Sequence, residues 1–272
     1  GAAVDVYRAG HRARQQTQVD TAATPRAGAR LILGVPPLRV VGSGRSRPAM
    51  PSSTKVPGGS PKGSPKVGRS PHDVDYAEEG RKLLAQMNLS EADGFGAKRS
   101  AKISTMYKHP DGGGVLYVGG QAVAMDRKRL QELGINRVVM CQDRDGRCYF
   151  EGEAWVEYHR FPIGKWRSAV GSNPTPPQVV KYFEPHVKYV EAELAKGNNC
   201  LIHCLAGAHR AGTATIASLM WMLKIPDNEA IPLAQRMRPV INPIGGYPLL
   251  LSRLSAGLQS LWAKAEVPKT ES

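Results

Sequence analysis

Hydrophobic positions in this 272-residue chain crowd into its second half and change period as they go. VLYVGG (115–120), RVVMCQ (137–142), WVEYHRFPI (155–163) and CLIHC (200–204) are short runs rich in β-branched and aromatic residues, and each predicts a strand. The third alternates Trp155, Glu157 and His159 against Val156, Tyr158 and Arg160 until Pro162 stops it. Helical patterns lie between and after them. MDRKRLQELG (125–134) ends at Gly134. Residues 176–197 open on proline, repeat apolar residues at Val180, Phe183, Val187, Val190 and Leu194, and stop at Gly197. GTATIASLMWMLKI (212–225) is apolar nearly all round and predicts a buried helix, with further helices over 228–238 and 247–265. Strands alternating with helices predict an α/β domain over 115–265, a central mostly parallel sheet of about four to five strands flanked by helices. Residues 266–272 form a short tail.

Residues 1–114 lack this periodicity and predict a disordered, basic, Ser-Pro-rich region. PGGSPKGSPKVGRSP cannot bury enough apolar surface to offset the entropy of ordering it. Its three Ser-Pro steps, at Ser60, Ser64 and Ser70, suit a proline-directed kinase, and each phosphate would cancel nearby lysine charge. RKLLAQMNL (81–89) predicts a short amphipathic helix, marginal alone and suited to docking on a partner. Residues 1–49 hold eight Arg and no Lys, whereas 50–114 hold three Arg and seven Lys. That shift predicts a separate origin for 1–49, as a translated untranslated region or a fragment of a longer leader, with Met50 the expected start; an Arg-rich, acid-poor organelle leader is the alternative.

Charge narrows the partners. The formal net charge is +14, and residues 1–114 carry 18 Lys/Arg against 9 Asp/Glu while the rest carry 19 against 14. No base-reading motif or aromatic-interleaved basic run accompanies this surplus, so no nucleic-acid partner is expected. No stretch approaches the about 20 apolar residues that a membrane-spanning helix needs. Cys141, Cys148, Cys200 and Cys204 show no metal-ligand spacing and no secreted disulfide framework. They suit free thiols in the cytoplasm or nucleus.

The chemistry concentrates in HCLAGAHRAG (203–212), between the strand ending at Cys204 and the buried helix. A loop at the end of a strand and the start of a helix turns free backbone N–H groups toward an anion. Gly207 and the alanines let the backbone curl close around a ligand. Arg210 supplies a planar fork that matches two phosphate oxygens. Cys204 in the same positive field is expected to ionise readily, and a thiolate beneath a bound phosphate is a nucleophile aimed at phosphorus.

HCLAGAHRAG resembles the phosphate-binding loop of the cysteine-dependent protein tyrosine phosphatases, in their dual-specificity branch, whose signature is His-Cys-x2-Gly-x2-Arg. LYVGGQAVAMDRKRLQELGINRVVMC resembles the start of such a domain, and RMRPVINPIGGYPLLLSRL its closing segment, so the likeness covers about 115–265. The resemblance implies that Cys204 forms a phosphocysteine intermediate and Arg210 clamps the phosphate. Backbone N–H groups of Leu205, Ala206, Gly207, Ala208, His209 and Arg210 would line the cradle. His203 would hold the loop and tune the thiolate, and Asn242 would help keep the loop in shape. Phosphotyrosine and phosphoserine/threonine proteins are the implied substrates, with no metal and no organic cofactor. Lipid phosphates fit less well, because Ala206 and Ala208 stand where lysines would flank the glycine. Glucan phosphates fit less well because no carbohydrate-binding module is visible.

Two departures bear on activity. The family carries Ser or Thr after the loop arginine to ease release of the thiolate; Ala211 stands here, with Thr213 the nearest hydroxyl. The family also carries an aspartate about 30 residues before the cysteine as general acid. From Tyr158 to Phe183 there is no Asp or Glu, and Lys165 stands about where the acid belongs. Glu157 and Glu184 flank the gap. Asp143 and Asp145 on the preceding loop and His209 within the cradle are the candidate proton sources, and His209 reads equally as a solvent-facing charge. Trp166 either fills the pocket mouth or packs the loop. The expected activity is phosphomonoester hydrolysis on proteins. The alternatives are a catalytically weak pseudophosphatase that binds phosphoproteins and, fitting less well, a rhodanese-like sulfur carrier.

Overall fold

The computed structural model describes residues 74–86, 103–143 and 146–266. Asp145, Ser60, Ser64, Ser70 and the expected segment 1–49 lie outside the described residues. Five strands form one sheet: β1 (Ser104–Lys108), β2 (Val115–Gly119), β3 (Ile135–Met140), β4 (Glu157–Arg160) and β5 (Asn199–His203). Their order is β1-β2-β5-β3-β4. All pairs are parallel except β1 with β2, so the expected mostly parallel sheet is present.

The helices are α1 (Tyr76–Gln86), α2 (Gln121–Met125), α3 (Arg127–Glu132), α4 (Trp166–Val170), α5 (Pro176–Ala195), α6 (Arg210–Leu223), α7 (Asp227–Met237) and α8 (Tyr247–Glu266). The stretch read as one helix over 125–134 is broken at Asp126, whose carboxylate caps α3 by accepting from the Arg129 N–H at 2.9 Å. Gly134 does end that region, with φ +61°. Successive residues of β5 face opposite sides of the sheet. Cys200 and Ile202 join the larger apolar cluster, with Phe183 and Val187 of α5, Ile216 of α6 and Leu254 of α8. Leu201 joins the smaller one with Val123 of α2 and Leu130 of α3. Residues 210–220 of α6 are all buried, as the apolar pattern predicts.

Two elements precede the expected boundary at Val115. Strand β1 pairs along β2 from Ser104↔Val118 to Lys108↔Val115, and the His109 N–H bonds the Gly114 carbonyl at 3.0 Å to close the connection. The signal was Pro110-Asp111-Gly112, a turn sequence between two short runs; β1 itself buries only Met106 deeply. Helix α1 takes residues 76–86 rather than 81–89, of which 87–89 lie outside the described residues. It docks on its own domain: Tyr76 stacks on Tyr247 with centroids 4.3 Å apart, and Gly80 faces Leu205.

Two imidazoles are folded in without charge. His186 lies flat on Phe161, 4.4 Å between centroids, with Nε2 3.2 Å from the Ala214 carbonyl. Burial pushes it down to about 3, and burial likewise pushes His203 down to about 4. The unfolded chain takes up these protons near pH 6.5, the folded chain only well below it. The stability tied to them is complete above about pH 6.5 and is lost as the pH falls, at up to about 1.4 kcal/mol per pH unit for each ring. The urea midpoint is therefore expected to drop between pH 6.5 and 5, and His186→Phe to roughly halve the drop. A midpoint that ignores pH across that window contradicts the assignment.

Candidate active site

The carboxyl ends of β2, β5 and β3 lie level, with Gly119 and Met140 both in register with His203. The loop leaving the central strand β5 therefore opens into the crevice at the carboxyl edge of a parallel sheet, where ligands of such folds bind. The Cys141 N–H donates to the His203 carbonyl at 2.9 Å and ties the end of β3 to the loop's start.

The loop's shape follows from where its carbonyls go. Leu205 O accepts from the Gln121 N–H at 2.9 Å. Ala206 O and Gly207 O accept from Nη2 and Nε of Arg238, at 3.2 and 2.9 Å. Ala208 O accepts from the Asn242 N–H at 3.3 Å, and His209 O from the Thr213 N–H and hydroxyl at 2.9 and 2.8 Å. Five consecutive carbonyls are held outward. In a trans peptide the next residue's N–H points opposite to each carbonyl, so the N–H groups of residues 206–210 turn inward together. That is a nest for a tetrahedral oxyanion, placed at the amino end of α6 where the helix dipole adds to it.

Glycine is required at the loop's apex. Gly207 has φ +68°, and a Cβ there would sit 2.4 Å from the carbonyl carbon and oxygen of Gly119. Gly120 is similarly tight, since its Cβ would come within 2.9 Å of Leu205 O. Cys204 and Arg210 are both 3% exposed, and the Arg210 Nη1 lies 3.6 Å from Oδ2 of Asp143.

Each expected site residue has a definite place. His203 is fully buried and neutral near pH 7, so it brings no charge to the thiol. Asn242 holds the loop through its backbone, its N–H on Ala208 and its carbonyl 2.6 Å from Nδ1 of His209, while its own side chain is exposed. His209 is thereby buried and anchored, which corrects the reading of a solvent-facing charge. The Thr213 hydroxyl is committed to the His209 carbonyl, so it is held away from the role that a Ser or Thr after Arg210 would fill. Trp166 is 1% exposed, and a Cβ on Gly246 would come within 2.2 Å of it; it packs the loop rather than filling a pocket mouth.

Glu157 pairs with Arg137 at 3.6 Å and Glu184 with Lys188 at 2.6 Å. Lys165 is exposed. Arg238, which shapes the cradle from behind, was not singled out in the sequence. Its position just before Pro239 in RMRPVINP was legible only as part of a turn. Among the described residues no cluster of His, Cys, Asp and Glu could hold a metal, and no helix is long and apolar enough to cross a membrane.

An N–H nest after the central strand of this sheet, with a cysteine at its entry and a buried arginine at its exit, defines the cysteine-dependent tyrosine phosphatase architecture. Comparison with known proteins narrows the class. Residues 116–252 match the family model "Dual specificity phosphatase, catalytic domain", and the chain belongs to that family. It is 27% identical over 154 residues to Danio rerio dual specificity protein phosphatase 22-B, covering 56% of this chain and 78% of that one. Human dual specificity protein phosphatase 9 matches at 27% over 128 residues, 47% of this chain and 31% of that one. Among solved structures, human DUSP28 covers 57% of this chain and 95% of its own at 20% identity, TM-score 0.45.

Proposed function

We propose that this domain hydrolyses phosphotyrosine and/or phosphoserine/threonine on proteins through a phosphocysteine at Cys204. The observation that supports this most directly is the outward row of five carbonyls from Leu205 to His209, which leaves an inward row of donors beside a cysteine and an arginine. In this reading the Cys204 thiolate attacks phosphorus as the bond to the leaving oxygen breaks. The N–H groups and the Arg210 fork hold the three non-bridging oxygens where charge develops. Water then attacks phosphorus, the S–P bond breaks and the thiolate is restored. With Ala211 after the arginine and the Thr213 hydroxyl engaged elsewhere, departure of sulfur relies on the N–H field alone. The protein acts in the cytoplasm or nucleus, and kinases acting at Ser60, Ser64 and Ser70 adjust the charge of its N-terminal region.

The second reading, a phosphoprotein-binding pseudophosphatase, is favoured by the absence of Asp and Glu from Tyr158 to Phe183. Labelling and turnover together decide. Iodoacetate, an anion drawn to the cradle, should alkylate Cys204 alone at pH 6, and inorganic phosphate should protect it. Burial raises the other three thiols, Cys141 strongly and Cys200 to about 12. Equal labelling of all four cysteines sinks both readings. Selective, phosphate-protected labelling without release of phenol from an aryl phosphate leaves the binding protein.

A further inference from the structure

We propose that Asp143, on the loop after β3, is the proton donor to the leaving group, moved into the place of the acid that the later loop lacks. The inference rests on the phosphatase reading above. Its main support is a coincidence of volume. The segment 158–183 that should carry the acid has Gly164 in the turn Ile163–Lys165, which packs against α6. A methyl built on Gly164 would lie 2.9 Å from Oδ1 and 3.1 Å from Oδ2 of Asp143. The carboxylate of the neighbouring loop thus fills the space that a side chain at 164 would need.

The backbone delivers it there. Met140 ends β3 in register with His203, so three residues further on the chain passes beside the start of the cradle. The Gly146 N–H donates to the Asp143 carbonyl at 2.8 Å and holds Asp143 there. Oδ2 faces Arg210, and Oδ1 is buried with no hydrogen-bond partner. Over a third of the side chain remains open to solvent, which gives the carboxyl a route to exchange protons with water.

The Asp143–Arg210 pair changes partners when substrate arrives. A phosphate dianion in the nest takes over the guanidinium. Released from Arg210, the Asp143 carboxyl carries the proton that the leaving oxygen needs. As the S–P bond forms and the P–O bond breaks, this proton passes from Asp143 to the departing oxygen. In the second half the Asp143 carboxylate takes a proton from the attacking water as the new P–O bond forms and Cys204 leaves as thiolate. Protons and charge balance over the cycle, and no further reactant is needed.

The experiment measures kcat/KM for the full chain across substituted phenyl phosphates, from dinitrophenyl to unsubstituted phenyl, with inorganic phosphate as competitive ligand. A positioned acid is worth about 10²–10⁴-fold where the leaving group needs help. The wild type is expected to give a nearly flat dependence on leaving-group pKa. Asp143→Asn is expected to lose at least about 10²-fold more on phenyl phosphate than on dinitrophenyl phosphate, with the inhibition constant for phosphate within about threefold of wild type. Gly164→Ala, whose methyl pushes the carboxylate aside without touching its chemistry, should steepen the plot in the same sense. A steep plot for wild type means there is no acid, and one flat in both wild type and Asp143→Asn means that the acid lies elsewhere. An equal loss on every substrate with weakened phosphate binding means that Asp143 only positions Arg210. Each overturns the proposal and leaves the phosphatase reading standing, whereas wild type that turns over none of the substrates overturns both.

Discussion

Cys204→Ser is expected to abolish phosphate release from aryl phosphates, by at least about 10³-fold, while binding of inorganic phosphate persists. The two side chains are nearly the same size, so the substitution leaves the outward carbonyls of residues 205–209 and their partners Gln121, Arg238, Asn242 and Thr213 in place. The inward N–H groups and Arg210 still meet an anion. What disappears is the nucleophile, because a serine hydroxyl ionises far less readily than a thiol and has no adjacent base here to take its proton. His203 is not that base: it is buried in the loop's support and its carbonyl is bound to Cys141. Turnover assays and titration calorimetry with phosphate check the two halves separately. Loss of phosphate binding along with turnover would mean that the sulfur helps to build the cradle. Retained turnover would remove Cys204 from the chemistry altogether.

Gly207→Ala is expected to cost at least about 10²-fold in kcat/KM on the same substrates and to destabilise the domain. The left-handed φ of +68° alone costs a β-carbon on the order of 1–3 kcal/mol. The added carbon would also meet the Gly119 carbonyl at 2.4 Å, and those are backbone atoms of β2 that cannot swing aside. The loop has to lift, which pulls the Ala206 and Gly207 carbonyls from Arg238 and turns the paired N–H groups off the oxyanion. Donors aimed at developing charge are worth about 10²–10³-fold each, and the effect is geometric. Gly112 supplies the control, with φ +70° and nothing within 4 Å of the place its methyl would take. Gly112→Ala should carry the conformational cost alone and leave kcat/KM within about twofold. If the two alanines behave alike, close packing of Gly207 on β2 is not what shapes the cradle.

The loop 203–212 itself was readable as a strand-to-helix loop, because its signature lies in a contiguous stretch. Cys204, Gly207 and Arg210 sit in ten residues between a strand and a buried helix, and contiguous spacing survives folding unchanged. The sheet was readable for a similar reason. Runs such as RVVMCQ and CLIHC are buried on both faces and carry their pattern in composition. Strand β1 was not readable in this way, since STMYK is an edge strand with one deeply buried residue and owes its place to pairing with β2. The boundary at Val115 failed with it. Helix α1 was legible as a helix but not as part of the domain, because its hold depends on Tyr247 and Leu205, far along the chain.

By itself the sequence determined the fold class, the Cys-x5-Arg spacing of the loop after the central strand and the lack of Asp and Glu from Tyr158 to Phe183, all properties of neighbouring residues or of periodicity. Only the tertiary structure decided which groups from distant segments complete the site. It assigned the Ala206 and Gly207 carbonyls to Arg238, anchored His209 on the Asn242 carbonyl, and set the Asp143 carboxylate between Gly164 and Arg210. The physical reason is common to all three. A hydrogen bond or ion pair acts over a few ångströms, and these partners lie between 31 and 67 residues apart in the chain. The spacing in sequence carries no trace of the contact until β3, β5 and the closing turn are laid side by side.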